Sequence, residues 1–95
     1  MKKNININGE RVQVEYNVID SVLVEDNSKP SKKYTGIKAI DKSFKFIFSV
    51  GDKVFETKKR FTQDGGCYSE KWLSDDGVWV NSEKKLIESF YKNLL

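Results

Sequence analysis

Residues 43–61 read Ser43-Phe44-Lys45-Phe46-Ile47-Phe48-Ser49-Val50-Gly51-Asp52-Lys53-Val54-Phe55-Glu56-Thr57-Lys58-Lys59-Arg60-Phe61. Phenylalanine occupies every second position from Phe44 to Phe48, and Val50 keeps the phase up to Gly51-Asp52. Alternation with period two is the signature of a strand, and Gly-Asp between two such runs suits a two-residue type II′ hairpin loop. That loop pairs Val50 with Lys53 and Phe48 with Phe55. One face of the hairpin then carries Phe44, Phe46, Phe48, Phe55 and Phe61, and the other carries Lys45, Ile47, Val54, Glu56, Lys58 and Arg60. A slip of one residue would turn the rings into water, so the register is strongly specified.

Working outward towards the N-terminus, Asn8-Gly9 is a second hairpin signal. Ile5 and Ile7 precede it, and Val12, Val14, Tyr16 and Val18 follow at period two. The apolar pattern runs on through Ile19, Val22, Leu23 and Val24, but its phase blurs near Asp20-Ser21, which a bulge explains. One long bent strand is expected from Arg11 to Glu25. Residues 26–33 hold the only proline, Pro30, and read as a loop. A short strand is expected from Tyr34 to Ile40, weakened by Gly36.

Towards the C-terminus, residues 63–66 (Gln-Asp-Gly-Gly) form a turn, and Cys67 to Leu73 is a strand candidate. Residues 74–77 join it to a partner at 78–80, and a four-residue loop would set Trp72 opposite Trp79. Last comes a helix. Asn81 or Ser82 caps its first free N–H groups, and Glu83 sits at the positive end of the helix dipole. Leu86, Ile87, Phe90, Tyr91 and Leu94 line one side as an apolar stripe, and Glu88 and Lys92 stand four apart on the other.

These elements give one α+β domain over residues 1–95. It is a twisted antiparallel sheet of about five or six strands, a meander of hairpins, with the C-terminal amphipathic helix packed on one face. The helix stripe is expected to cover the five-phenylalanine face, and an uncovered sheet face makes a homodimer an option.

The composition narrows the chemistry. Histidine is absent, which removes the usual general base, the usual partner of a nucleophile and the commonest metal ligand. The single cysteine, Cys67, reads as a half-buried strand residue, and it leaves no internal disulfide to form. Asp75-Asp76-Gly77 is turn chemistry rather than a carboxylate pair across a cleft. No phosphate-cradling glycine motif and no calcium loop is present. The expectation is a non-enzymatic protein without a cofactor or metal. No window approaches the ~20 apolar residues of a membrane helix, and Met1-Lys2-Lys3 is followed by alternation rather than a signal-like apolar run. A cytoplasmic setting without membrane contact is therefore expected.

Charge is unevenly spread. From Lys29 to Arg60 ten basic residues face three acidic ones, a net of +7, while the flanks hold seven basic and eleven acidic residues, a net of −4. A cationic segment suits an anionic partner, either nucleic acid phosphates or an acidic protein surface. The plain alternative is a solvated face whose lysines guard strand edges. Lysine outnumbers arginine, which fits phosphate or diffuse contacts better than base readout. The candidate partner-binding residues are Lys29, Lys32, Lys33, Tyr34, Lys38, Lys42, Lys45, Lys58, Lys59, Arg60, Trp72 and Trp79. Tyr34, Tyr68, Trp72 and Trp79 are the rings expected at the surface.

Two functional readings follow. The first is a non-catalytic binding protein acting through contacts with another macromolecule. Its small size, lack of motifs and an AT-rich-looking composition fit a phage or mobile-element inhibitor of a host defence enzyme, as anti-CRISPR-type proteins are. The second is a nucleic-acid-binding module, single-stranded or non-specific, using residues 29–60. In outline the sheet-then-helix order is similar to single-strand-binding coactivator domains, an analogy of fold alone.

Overall fold

The computed structural model describes residues 1–94. Seven strands and one helix follow in the order β1 (Lys2–Ile7), β2 (Glu10–Asp26), β3 (Lys29–Pro30), β4 (Lys38–Val50), β5 (Lys53–Asp64), β6 (Cys67–Leu73), β7 (Trp79–Val80) and α1 (Glu83–Lys92). All pairings are antiparallel, in the spatial order β1-β2-β4-β5-β6-β7, with β3 lying beside β4 beyond the end of β2. The meander expected from the hairpin signals is present, with strands β3 and β7 of only two residues each. The sheet is strongly curled, and the helix is short.

The local signals act where they stand. Asn8 and Gly9 both take positive φ, 50° and 82°, as the first hairpin requires. Val50 pairs with Lys53 and Phe48 with Phe55. The β2–β4 register shifts between Val18 and Asp20, where the sequence loses phase, and again between Leu23 and Glu25. The Ser82 side chain accepts the Lys85 N–H at 3.3 Å and caps the helix.

Phe48 is fully buried and is the hub of the core. Its ring lies 6.3 Å from Tyr16, 6.0 Å from Phe46, 5.7 Å from Trp72 and 6.0 Å from Phe90. Phe90 also stacks on Phe55 at 4.6 Å. Leu86, Ile87, Ile5 and Val50 complete this cluster, all without exposed surface.

Four expectations are corrected. No separate strand spans Tyr34–Ile40, and only Lys38–Ile40 of that stretch is extended, as the start of β4. The chain turns through Gly36, which has φ +78°, and β4 starts at Lys38 and runs unbroken to Val50. Trp72 does not face Trp79, because the β6–β7 loop spans 74–78 and the pairs are Trp72↔Val80 and Leu73↔Trp79. One extra loop residue flips one indole to the other face. That loop is held to the helix, where the Ser89 hydroxyl accepts the Asp75 N–H at 3.2 Å and the Asn93 amide donates to the Asp75 carboxylate.

The helix covers only one end of the phenylalanine face. Ten helical residues reach about 15 Å, whereas the 13 residues of β4 extend about 43 Å. Phe48 and Phe55 therefore meet the helix, while Phe44 and Phe61 lie past it, Phe61 packing on Tyr68 at 5.3 Å. Finally, Glu88 accepts the Asn6 N–H at 3.4 Å, and no Glu88–Lys92 ion pair forms among the described residues. Among the described residues, no helix is long and apolar enough to cross a membrane.

Truncating the hub should be costly. Phe48→Ala is expected to lower stability by about 3–5 kcal/mol, and Ser82→Ala by about 1 kcal/mol, measured as shifts of the urea midpoint at constant slope.

Candidate functional site

Because the helix covers one end only, the rest of the sheet is open on both faces. The radius of gyration is 15.6 Å, against about 12 Å for a compact domain of this length. The accessible area is 6431 Å², against about 5600 Å² for a folded protein of this mass. The excess is roughly 800 Å², the area one partner contributes to a standard protein interface. In β2 every residue from Asn17 to Asp26 is exposed. Val18, Ile19, Val22, Leu23 and Val24 are between 40% and 57% exposed. The sequence pattern reads as a half-buried strand here, and its blurred phase with interleaved acids is the one signal that points elsewhere.

The candidate residues divide by what they touch. Lys45 pairs with Glu56 at 3.2 Å. Lys59 pairs with Glu70 at 3.1 Å and lies over the Trp72 ring at 4.9 Å and the Phe46 ring at 5.9 Å. Arg60 grips Asp41 with two N–H groups at 3.2 and 2.9 Å. These three cations are largely neutralised inside the protein. Lys29, Lys32, Lys33, Lys38, Lys42 and Lys58 have no carboxylate within 4.0 Å among the described residues. All but Lys58 belong to the end of the sheet remote from the helix, around the β3 loop. Trp72 is a core residue, against expectation, since the curl of β6 turns it onto Phe46 at 4.9 Å and Phe48. Tyr34, Tyr68 and Trp79 are exposed, and so is Cys67, which an edge position leaves uncovered.

The loop bearing Lys32 and Lys33 is built rather than loose. The Ser31 hydroxyl donates to Asp64 at 2.6 Å and accepts the Lys33 and Tyr34 N–H groups at 3.1 and 3.0 Å. The Ser31 N–H donates to the Ile37 carbonyl at 2.9 Å and closes the loop. Tyr34 lies flat on the turn at Gly65, where a Cβ would sit 2.5 Å from the ring. Gly65 is thus required twice, for its φ of +60° and for this contact.

On the outer face, opposite the helix, three adjoining hollows of about 390, 220 and 270 Å³ meet around the Arg60–Asp41 pair. Trp79 and Lys58 border one end of this depression, and Cys67 the other. Two like-charged pairs stand directly across strands, Lys45↔Lys58 and Arg60↔Lys71. Such pairs repel, and Asp41 and Glu56 offset only part of this. Lys71 and Asp41 join the site only through register, which the basic run at 58–60 does not disclose.

Three carboxylates, Asp26, Asp41 and Glu70, are shifted towards the charged form. The Arg60 guanidinium bound to Asp41 keeps that carboxyl below its ordinary value. A hydrogen bond from Tyr68, then Lys59, does the same for Glu70, and Ser28 for Asp26. A general acid at neutral pH needs the opposite shift. The surface is equipped for ionic and apolar contact. No protein family, curated protein or solved structure matches the chain.

Two outcomes test this geometry. Gly65→Ala should push Tyr34 off its seat and open the loop, seen as faster tryptic cleavage at Lys32 and Lys33 with the core unaffected. The Asp41–Arg60 pair adds stability that is complete above the ordinary carboxyl value of 3.8 and is lost as pH falls through the lower folded value. Asp41→Asn should therefore be less stable than the parent at neutral pH, and its melting temperature should fall less steeply below pH 3.8.

Proposed function

We propose that this chain is a non-catalytic binding protein whose partner is another protein, covered by the half of the sheet that the helix leaves bare. The observation that carries this reading is the ten-residue exposed stretch of β2, with five large apolar side chains in it. These side chains flank an open strand edge on both faces, and apolar groups left uncovered along such an edge suit a contact surface. An inhibitor that works by masking a host enzyme, in the manner of anti-CRISPR-type proteins, is the biological form this reading takes. A cytoplasmic setting goes with it.

A second reading is supported by a separate observation, the five unpaired lysines at the end remote from the helix beside exposed Tyr34 and Tyr68. Lysines on phosphates and rings on bases would suit single-stranded or non-specific nucleic acid.

The two readings separate in one set of measurements. Under the first, a protein complex isolated by affinity purification persists in the triple variant Lys32→Glu/Lys33→Glu/Lys38→Glu and is lost in Ile19→Lys/Leu23→Lys. Under the second, oligonucleotides bind at ~50 mM salt and the triple variant flattens the salt dependence by about three units of slope. No binding at that salt removes the nucleic-acid reading. A complex indifferent to Ile19→Lys/Leu23→Lys removes the bare sheet as the protein contact.

A further inference from the structure

We propose that the outer edge of β2, from Asn17 to Asp26, is a strand-addition site that takes an extended protein segment with alternating basic and apolar residues. This rests on the reading of a protein partner and specifies the chemistry of the segment. On its inner side β2 is hydrogen-bonded to β4 as far as Asp26↔Lys42. On its outer side β1 pairs only up to Lys2↔Glu15, and the Tyr16 N–H reaches the Met1 carbonyl at 2.8 Å. Past that point no strand lies along this side among the described residues. Half of the backbone N–H and C=O groups there point outward without a protein partner, which is the template that an added strand reads.

Register gives the two faces of this edge different chemistry. Val18 pairs with Phe48 and Leu23 with Phe44, so both lie on the phenylalanine face. Asp20 pairs with Ile47, Val22 with Lys45 and Glu25 with Ser43, so these lie on the outer face. An incoming strand places successive side chains on opposite faces. Those on the phenylalanine face meet Val18, Ser21 and Leu23, with Asp26 beside Lys42 only at the far end, and are apolar along the central run. Those on the outer face meet Asp20, Val22 and Glu25, and the ones that stand at the two acids are cationic. The two bulges kink the edge but leave Asp20 to Leu23 regular, enough for a central run of pairing.

The same charges argue against a second copy as occupant. Natural edges are commonly guarded by lysine, yet residues 17–26 contain Asp20, Glu25 and Asp26 and no lysine or arginine. Two such edges side by side would gather like charges in one ribbon with no cation among them. The Asp26 carboxyl is held below its ordinary value by the Ser28 hydroxyl and then by the Ser28 N–H, which lies at 3.0 Å. Carboxylate guards repel self-pairing and admit a basic strand.

The probe is a fluorescein-labelled ten-residue peptide of alternating lysine and valine, blocked at both ends, with the intact chain titrated into it. Binding is expected by anisotropy, with slowed amide exchange confined to β2. The same peptide N-methylated at alternate residues should bind at least about tenfold more weakly, and a glutamate–valine peptide should not bind. The variant Asp20→Lys/Glu25→Lys should reverse the preference, taking the acidic peptide and rejecting the basic one, with an unchanged melting temperature. The proposal is overturned by no binding up to about 1 mM peptide, by equal binding of the N-methylated peptide, or by an unreversed preference. It is also overturned by light scattering that shows a stable dimer broken by Ile19→Lys/Leu23→Lys, because the occupant is then a second copy. If a protein complex forms but survives Asp20→Lys/Glu25→Lys, the strand-addition site falls while the protein-binding reading stands.

Discussion

The burial of Phe48 is the constraint on which the rest of the structure depends. Its ring meets Tyr16 from β2, Phe46 from its own strand, Trp72 from β6 and Phe90 from the helix. Four elements far apart in the chain are therefore fixed relative to one another through one side chain. Rings of this size bury large apolar areas and pack with preferred tilts, so they hold position as well as adding stability. A 95-residue chain has few other resources, lacking a disulfide and having a single short helix.

That concentration of the core at one end has a consequence at the other. The curled sheet and the helix enclose Phe48, Phe55, Trp72 and the ends of β1 and β2. The long strands β4 and β5 continue well past the helix, carrying Phe44, Phe61 and the exposed half of β2 with them. Part of the open stretch is steadied internally. Lys59 lies over Trp72 and Phe46 while bound to Glu70, and Arg60 is clamped by Asp41. These exposed ion pairs are individually weak, but they remove three of the cations that the sequence offers to a partner once Lys45–Glu56 is counted with them. What stays available is ordered by chemistry: lysines at the far end, apolar residues with acids along the β2 edge, and a polar depression on the outer face.

Asp26, Asp41 and Glu70 are held in the charged state by hydrogen-bond donors, and the chain exposes roughly 800 Å² more than a compact fold of its mass would. The basic far end and the acidic β2 edge give the surface two fields of opposite sign, and such fields steer the approach of charged molecules.

The features that depend on neighbours in sequence are legible in the sequence by itself. Alternation of Phe44, Phe46 and Phe48 with Gly51-Asp52 dictates the central register, Asn8-Gly9 dictates the first hairpin, the loss of phase at Asp20-Ser21 marks the bulge, and Ser82 begins the helix. Each rests on side-chain period or turn chemistry within a few residues. Tertiary structure alone decides the rest. Trp72 enters the core because the β5–β6 register sets it opposite Lys59 on the phenylalanine face, and Trp79 stays outside because one additional residue in the loop before it changes the face of its pairing. The helix settles over Phe48 and Phe55 and leaves Phe44 beyond its reach because it is far shorter than the strands beneath it. Lys45, Lys59 and Arg60 are taken up by internal partners, and Asn17–Asp26 is left as an open edge, through the placing of strands distant in sequence. Charge and hydrophobicity are properties of residues, but whether they face a partner is a property of the packing.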